Sequence, residues 1–307
     1  MKTKTIRKIL SQKVDSWLES IEDKQVKDAC ARDFIVTGGC IASMLLRENV
    51  NDFDIYFKTK ETVKLVSEYY VNKIKKEYIN LTSDSTIEVI DNKDIPEKEY
   101  HHEGDLSKWD TFVAGISTDE DRVKIFIPHI GYWRKEKADE ISENSYQPIY
   151  LTENAISLSD QIQLVIRFFG NAENIHENYD FMHATNYYHY NNGKRELVLR
   201  PDALEALLTK ELKYIGSKYP LTSIIRTKKF LNRGFTISAG TYLKILWQVA
   251  ELDLKDPVVL QEQLIGVDIA YFSALLAILN NIGDTEITYS FISEIIDKVF
   301  DQSEEDN

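Results

Sequence analysis

The sequence predicts an α+β fold: a mixed β-sheet with flanking helices over residues 1–200, followed by an all-helical part over residues 201–307. Three observations carry this. Short apolar or alternating runs, bounded by glycines and polar turns, recur between helical patterns before residue 200. After residue 200 the apolar residues recur at helical spacing, and no strand pattern of comparable strength appears. No Pro-rich or Ser/Gly-rich linker separates the two parts, so they are expected to pack together.

Residues 6–29 read as one amphipathic helix, with Ile6, Leu10, Val14, Trp17, Leu18, Ile21 and Val26 on its apolar side. Phe34-Ile35-Val36 reads as a buried strand that enters a tight turn at Gly38-Gly39, and residues 40–47 as a short helix. Phe53, Ile55 and Phe57 alternate with Asp52, Asp54 and Tyr56, a strand pattern. A helix over 61–76 presents Val63, Val66 and Tyr70. Strands are expected at 85–90, 111–117, 122–127 and 147–151, with a loop over 91–109. The run 162–169, closed by Gly170, predicts a central strand. Residues 181–190 and 195–199 flank Asn191-Asn192-Gly193-Lys194, whose Asn-Gly step predicts a hairpin turn. Pro201-Asp202 opens the helical part, with further helices expected at 221–233, 239–252, 257–264, 268–281 and 288–301.

Composition excludes several classes. No run of eighteen apolar residues is present, and no apolar core follows the basic N-terminus, which predicts a cytoplasmic protein without a membrane span. Cys30 and Cys40, standing alone, predict buried thiols and neither a disulfide framework nor a metal motif. A net charge of −13 argues against coating nucleic acid by bulk attraction. The stretch 210–233 reverses that sign locally, with Lys210, Lys213, Lys218, Arg226, Lys228, Lys229 and Arg233.

The segment that predicts chemistry is Val36-Thr37-Gly38-Gly39-Cys40, then eleven residues, then Asp52-Phe53-Asp54. A strand delivering two glycines to a helix start lets backbone approach a phosphate, and the helix N-terminus adds free N–H groups and positive potential. Aspartates at i and i+2 of a strand point to one face. Two such carboxylates beside a triphosphate are the hard oxygen ligands that Mg²⁺ prefers, with Mn²⁺ as the alternative ion. A Gly-Gly alone is usually a turn and an Asp-X-Asp alone a solvated pair. Their conjunction on an otherwise apolar strand is more specific, because charge there is costly unless it has a use.

This pattern resembles the signature of the polymerase-β nucleotidyltransferase superfamily. Two later segments are similar to class II tRNA CCA-adding enzymes and bacterial poly(A) polymerases: Ile162 to Phe168 followed by Tyr179-Asp180-Phe181-Met182-His183-Ala184, and Ile225-Arg226-Thr227-Lys228-Lys229-Phe230 leading to Gly234-Phe235-Thr236-Ile237. The resemblance covers about 34–57 and 160–240. It implies a catalytic head over 1–200 with an insertion near 91–150, and a helical domain over 201–307. It is similar also to proteins of large-DNA viruses and phages. The implied activity is transfer of an NMP from an NTP to a hydroxyl, an RNA 3′ end of tRNA-like kind, with release of pyrophosphate. Asp52 and Asp54 would hold the metal, Gly38, Gly39 and the N–H of Cys40 the β,γ-phosphates. Arg167, Arg226 and Lys229 are further phosphate-binding candidates, against the plainer readings of a salt bridge for Arg167 and a solvated basic face for the helix pair.

The sequence departs from the family where it matters. Ala184 falls one position early, and the family's paired arginines are absent from the 179–186 segment. Where a third carboxylate is expected on the central strand, Gln163 stands, which cannot take a proton at neutral pH. Asp180 is the first candidate for that role and Glu88 the second. Two alternatives stay open: a protein acceptor, as in AMP-transferring toxins, and a degenerate nucleotide-binding fold. His101-His102-Glu103 lacks a spaced third ligand for zinc. His183 reads as a core histidine, and Tyr188 and Tyr190, sharing a strand face, as core packing.

Overall fold

The computed structural model describes residues 1–77, 88–91, 122–126, 132–133, 145–152, 154–256, 259–260, 263 and 288–301. The described residues fall into two units, one ending at Thr209 and the other beginning at Lys210.

The first unit opens with α1 (Thr3–Glu19) and α2 (Lys24–Asp33). The single helix expected over 6–29 is therefore two. Asp23 ends the first possibility of continuity: its carboxylate accepts from the N–H groups of Gln25 and Val26 at 2.8 and 3.1 Å, starting a new helix. Ile6, Leu10, Val14, Trp17 and Leu18 are buried along α1, so the apolar spacing was sound even though the helix breaks. Then follow β1 (Phe34–Thr37), α3 (Gly39–Leu46), β2 (Phe53–Phe57) and α4 (Lys60–Glu77), at the predicted places.

Further strands are β3 (Glu88–Asp91), β4 (Val123–Phe126), β5 (Tyr132–Trp133), β6 (Pro148–Leu151), β7 (Ala155–Leu158) and β8 (Ile162–Phe169). β7 has no counterpart in the sequence reading. It is four residues long, and the turn joining it to β8 is made by Asp160 and Gln161 at φ of 59° and 60° without glycine. The expected strand at 111–117, residues 92–109 of the expected loop and the His101-His102-Glu103 group lie outside the described residues.

After α5 (Ala172–His176) and a 3₁₀ turn at Met182–Ala184, the hairpin β9 (Tyr187–Asn191) and β10 (Lys194–Val198) turns at Asn192 and Gly193, both with positive φ (46° and 80°). The predicted strand over 181–190 thus begins only at Tyr187. Residues 181–186 instead bend over the end of β1, where the carbonyl of Ala184 accepts from the N–H of Gly38 at 3.1 Å. Helix α6 (Pro201–Thr209) closes the unit.

Eight strands form one sheet in the order β10-β9-β1-β2-β8-β7-β6-β5, while β3 and β4 pair separately. Within the large sheet β2 and β8 run parallel, and the other neighbouring strands pair antiparallel. One sheet face carries Phe34, Val36, Phe53, Ile55, Phe57, Ile162, Leu164, Ile166 and Tyr188 into a single core with α1 and α4. Trp17 fixes that core further, its Nε1–H donating to the Tyr70 hydroxyl at 3.0 Å. Tyr188 is buried there and Tyr190 packs against it, as read from the sequence. The buried Asp33, where α2 meets β1, accepts from Arg32, Thr59 and Thr62, and its carbonyl accepts from Lys58 N–H. β1 is thereby tied to the start of α4.

The second unit contains α7 (Pro220–Asn232), α8 (Ala239–Ala250) and α9 (Tyr289–Asp301). It is not wholly helical: β11 (Glu211–Leu212) and β12 (Thr236–Ile237) make a two-residue parallel pair. The expected helix at 268–281 and most of 257–264 lie outside the described residues.

Candidate active site

β1 ends at Thr37, and the chain must turn at once into α3. Gly38 makes that turn at φ 93° and ψ −152°, a backbone region open essentially to glycine alone. The reason is also steric. A Cβ on Gly38 would stand 2.8 Å from Asp54 Oδ2, so the carboxylate packs directly onto the glycine. Around the neighbouring Gly39, by contrast, no atom lies within 4 Å of where a Cβ would go. Gly39 itself is exposed.

The sheet places Asp54 in a row. Thr37 pairs with Tyr187 and with Asp54, Asp54 with Gln163, and Gln163 with Ser157. Residues paired in register present their side chains on one face, so Tyr187, Thr37, Asp54, Gln163 and Ser157 cross five strands side by side. This is the face opposite the main core. Gln163 stands directly beside Asp54 on the parallel strand. Asp52 is exposed just ahead of β2, and Asp54 is half-buried. Both carboxylates bear on the start of α3. Burial holds the Cys40 thiol well above its ordinary range, and the charges of Asp54 and Asp52 push it further the same way. Cys30 and Cys40 are both buried free thiols.

A hydroxyl network surrounds the row. Thr37 Oγ1 donates to the carbonyl of Asn186 at 3.0 Å and lies 2.8 Å from His176 Nε2. On the other side of that ring, Arg200 Nη1 stands 3.3 Å from Nδ1. One tautomer satisfies all three contacts: Nε2–H donates to Thr37 and Nδ1 accepts from Arg200. Tyr179 completes the set, its hydroxyl hydrogen-bonded with Tyr56 and Thr37. Burial pushes the Tyr179 phenol well above its ordinary value, and the neighbouring Tyr56 and Asp54 add to the shift. The sequence reading gave no role to Thr37, Tyr56, His176 or Tyr179, since nothing in local spacing shows that three separate segments converge.

Burial drives His176 down to about 4, with the Arg200 guanidinium contributing in the same direction. The imidazole is therefore neutral in the folded chain, whereas the unfolded chain binds a proton near pH 6.5. Between those values the unfolded state holds more protons, so stability falls as pH drops from 6.5 toward 4. The expected loss from this residue is about 2 kcal/mol between pH 7 and pH 5. Denaturant unfolding of the parent and of His176→Gln at both pH values measures it: the parent should lose more than the variant by that amount, and equal losses would refute the assignment.

The other sequence-predicted residues lie as follows. Asp180 is buried beside the network, its Oδ1 accepting from the N–H of Phe181 at 3.0 Å. Arg167 is buried near the end of β8 and donates to Asn154 Oδ1 at 3.2 Å, an oxygen that Arg122 also reaches. His183 is buried with its ring stacked on Phe181. Glu88 opens β3. Arg226 and Lys229 are exposed, one turn apart on α7 in the second unit. Among the described residues no group of three or more His, Cys, Asp or Glu forms a self-sufficient metal cage. No helix among them is long and apolar enough to cross a membrane.

The fold and this site define an α+β protein with a mixed sheet and a glycine turn packed against Asp54 on one sheet face. The family model described as "Gabija anti-defense 2 family protein" matches residues 8–210, and the chain belongs to that family. Its matched span takes in the Gly38 turn, Asp52, Asp54 and the hydroxyl network, but not Arg226 and Lys229. No curated protein matches the sequence. Among solved structures, the chain is similar to a Thermotoga maritima CCA-adding enzyme complexed with tRNA, at 12% identity and a TM-score of 0.37, over 88% of this chain and 54% of that one. It is similar to a CCA-adding enzyme in complex with CTP at 12% identity and a TM-score of 0.35, over 87% of this chain and 54% of that one. A third similar structure is described as a tRNA-processing enzyme complex, at 11% identity and a TM-score of 0.36, over 90% of this chain and 73% of that one. The chain spans about half the length of the first two proteins.

Proposed function

We propose that the chain is a metal-dependent nucleotidyltransferase that moves an NMP from an NTP to a hydroxyl acceptor and releases pyrophosphate. The observation that carries this reading is the contact of the Asp54 carboxylate with Gly38 at the opening of α3, two residues after Asp52. The donor set fits Mg²⁺ or Mn²⁺: two hard carboxylates from the protein, with triphosphate oxygens and water filling the remaining positions. Such an ion, when bound, supplies charge neutralisation at phosphorus. Asp52 and Asp54 would hold it. The backbone of Gly38, Gly39 and Cys40 would hold the β,γ-phosphates at the helix start, where N–H groups and dipole favour negative charge. Gln163, beside Asp54, would orient the acceptor by hydrogen bonding. It cannot act as a base, and we assign the acceptor's proton to Asp180. Arg167 is a further candidate for the phosphates. Arg226 and Lys229 offer an exposed basic turn to a phosphate chain.

The first reading of the acceptor is an RNA 3′ end of tRNA-like kind. The family name favours a second, a protein acceptor, because a nucleotidyl group attached to a defence protein is a direct means of disabling it. The α-³²P-labelled form of each NTP, supplied with Mg²⁺ and either bulk tRNA or the proteins of the Gabija system, separates them. Label on RNA supports the first reading and label on protein the second. NTP binding without pyrophosphate release in either mixture would leave a degenerate nucleotide-binding fold, with Gln163 marking the lost chemistry.

A further inference from the structure

We propose that Tyr179 is a positioning residue for Asp54, its hydroxyl and the carboxylate meeting at the same glycine turn; this rests on the nucleotidyltransferase reading. Thr37 approaches from the adjoining strand, directly paired with Asp54. Tyr56 stands two residues along β2 and so on the same face. Tyr179 comes from the segment after α5, and its hydroxyl oxygen lies 3.5 Å from the point where a Gly38 Cβ would stand, the point from which Asp54 Oδ2 is 2.8 Å away. The phenol and the carboxylate therefore abut the same absent side chain.

Tyr179 is held at both ends. Its ring meets His176 edge-on, with centroids 5.0 Å apart, and tilts against Tyr56 at 6.2 Å. Its hydroxyl is hydrogen-bonded with Tyr56 and Thr37, and Thr37 is itself held by His176 and Asn186. The chemistry of this frame matters. A hydroxyl packed beside a carboxylate limits its movement without cancelling its charge, whereas a lysine or arginine in the same place would compete with the cation. Groups behind a metal ligand commonly alter metal affinity by about 10–100-fold when removed. Tyr179→Phe keeps the ring and its packing and removes only the hydroxyl.

The test is Mn²⁺ binding to the full chain in the presence of a non-hydrolysable NTP analogue, followed by the electron paramagnetic resonance of free Mn²⁺, with thermal unfolding in parallel. Tyr179→Phe should bind Mn²⁺ about tenfold more weakly while unfolding near the parental temperature. Tyr56→Phe, which removes one partner of the phenol, should shift affinity in the same direction. Tyr187→Phe, whose ring packs against the same His176 from β9, should bind as the parent does. Parental affinity in Tyr179→Phe overturns the positioning role. Should that variant unfold early, Tyr56→Phe decides: unchanged Mn²⁺ affinity there overturns the role as well. Parental affinity in Asp54→Asn has a different meaning, since it removes the metal site itself and with it the nucleotidyltransferase reading.

Discussion

Asp54→Asn is expected to fold as the parent does and to lose Mg²⁺-dependent pyrophosphate release by about a thousandfold. The substitution is isosteric, so the packing against Gly38 survives. What disappears is one unit of negative charge at the point where the two aspartates bear on the start of α3. Without metal the melting temperature should therefore stay close to the parent's. With metal and NTP present the amide oxygen is a poor substitute for a carboxylate in neutralising a divalent ion. A stable, inactive Asp54→Asn is the expected outcome, measured by thermal unfolding and by pyrophosphate release with all four NTPs. A variant that turns over at the parental rate would sink the metal-site assignment, whatever its stability.

The pieces of this site that were legible in the sequence are the local ones. A strand, two glycines, a short helix and a second strand carrying Asp52 and Asp54 are coded within about twenty-five residues, by periodicity and by the backbone demands of a tight turn. The Asn192-Gly193 hairpin was readable for the same reason. What failed was also local but weaker: the break between α1 and α2, where the capping aspartate Asp23 sits inside an unbroken apolar rhythm, and β7, too short to show alternation. The placement of Gln163 beside Asp54 was expected only through a family resemblance. It depends on a parallel pairing between strands more than a hundred residues apart, which no periodicity encodes. The hydroxyl network is hidden more deeply. Thr37 and His176 are 139 residues apart in the chain, and Tyr179 looks in the sequence like any aromatic beside an Asp-Phe pair. Residues 181–186 resisted for a related reason. Their apolar content suggests a strand, yet their carbonyls serve the turn at Gly38 and the hydroxyl of Thr37, so tertiary hydrogen bonding overrides the pattern.

The two glycines of the turn should respond to alanine in opposite ways. In Gly38→Ala the new methyl would meet Asp54 Oδ2 at 2.8 Å, and the backbone angle of +93° is strained for any side chain. A residue forced into such a region costs about 1–3 kcal/mol, and the carboxylate must also move. Stability and activity should therefore fall together. Gly39 is the first residue of α3, and its added methyl would meet nothing within 4 Å. Alanine is also the better helix former, so Gly39→Ala should unfold at or above the parental temperature. The open space at Gly39 is where the triphosphate is proposed to lie, and a methyl group there keeps phosphate oxygens from the backbone N–H groups. NTP affinity should drop by about tenfold or more, the loss of one to two hydrogen bonds to a charged group. Calorimetric titration of both variants with an NTP analogue, beside their unfolding curves, separates the two effects. A stable Gly39→Ala that binds NTP as tightly as the parent would mean that the phosphates do not rest on this turn, and the role of the glycine pair would shrink to that of Gly38 in seating Asp54.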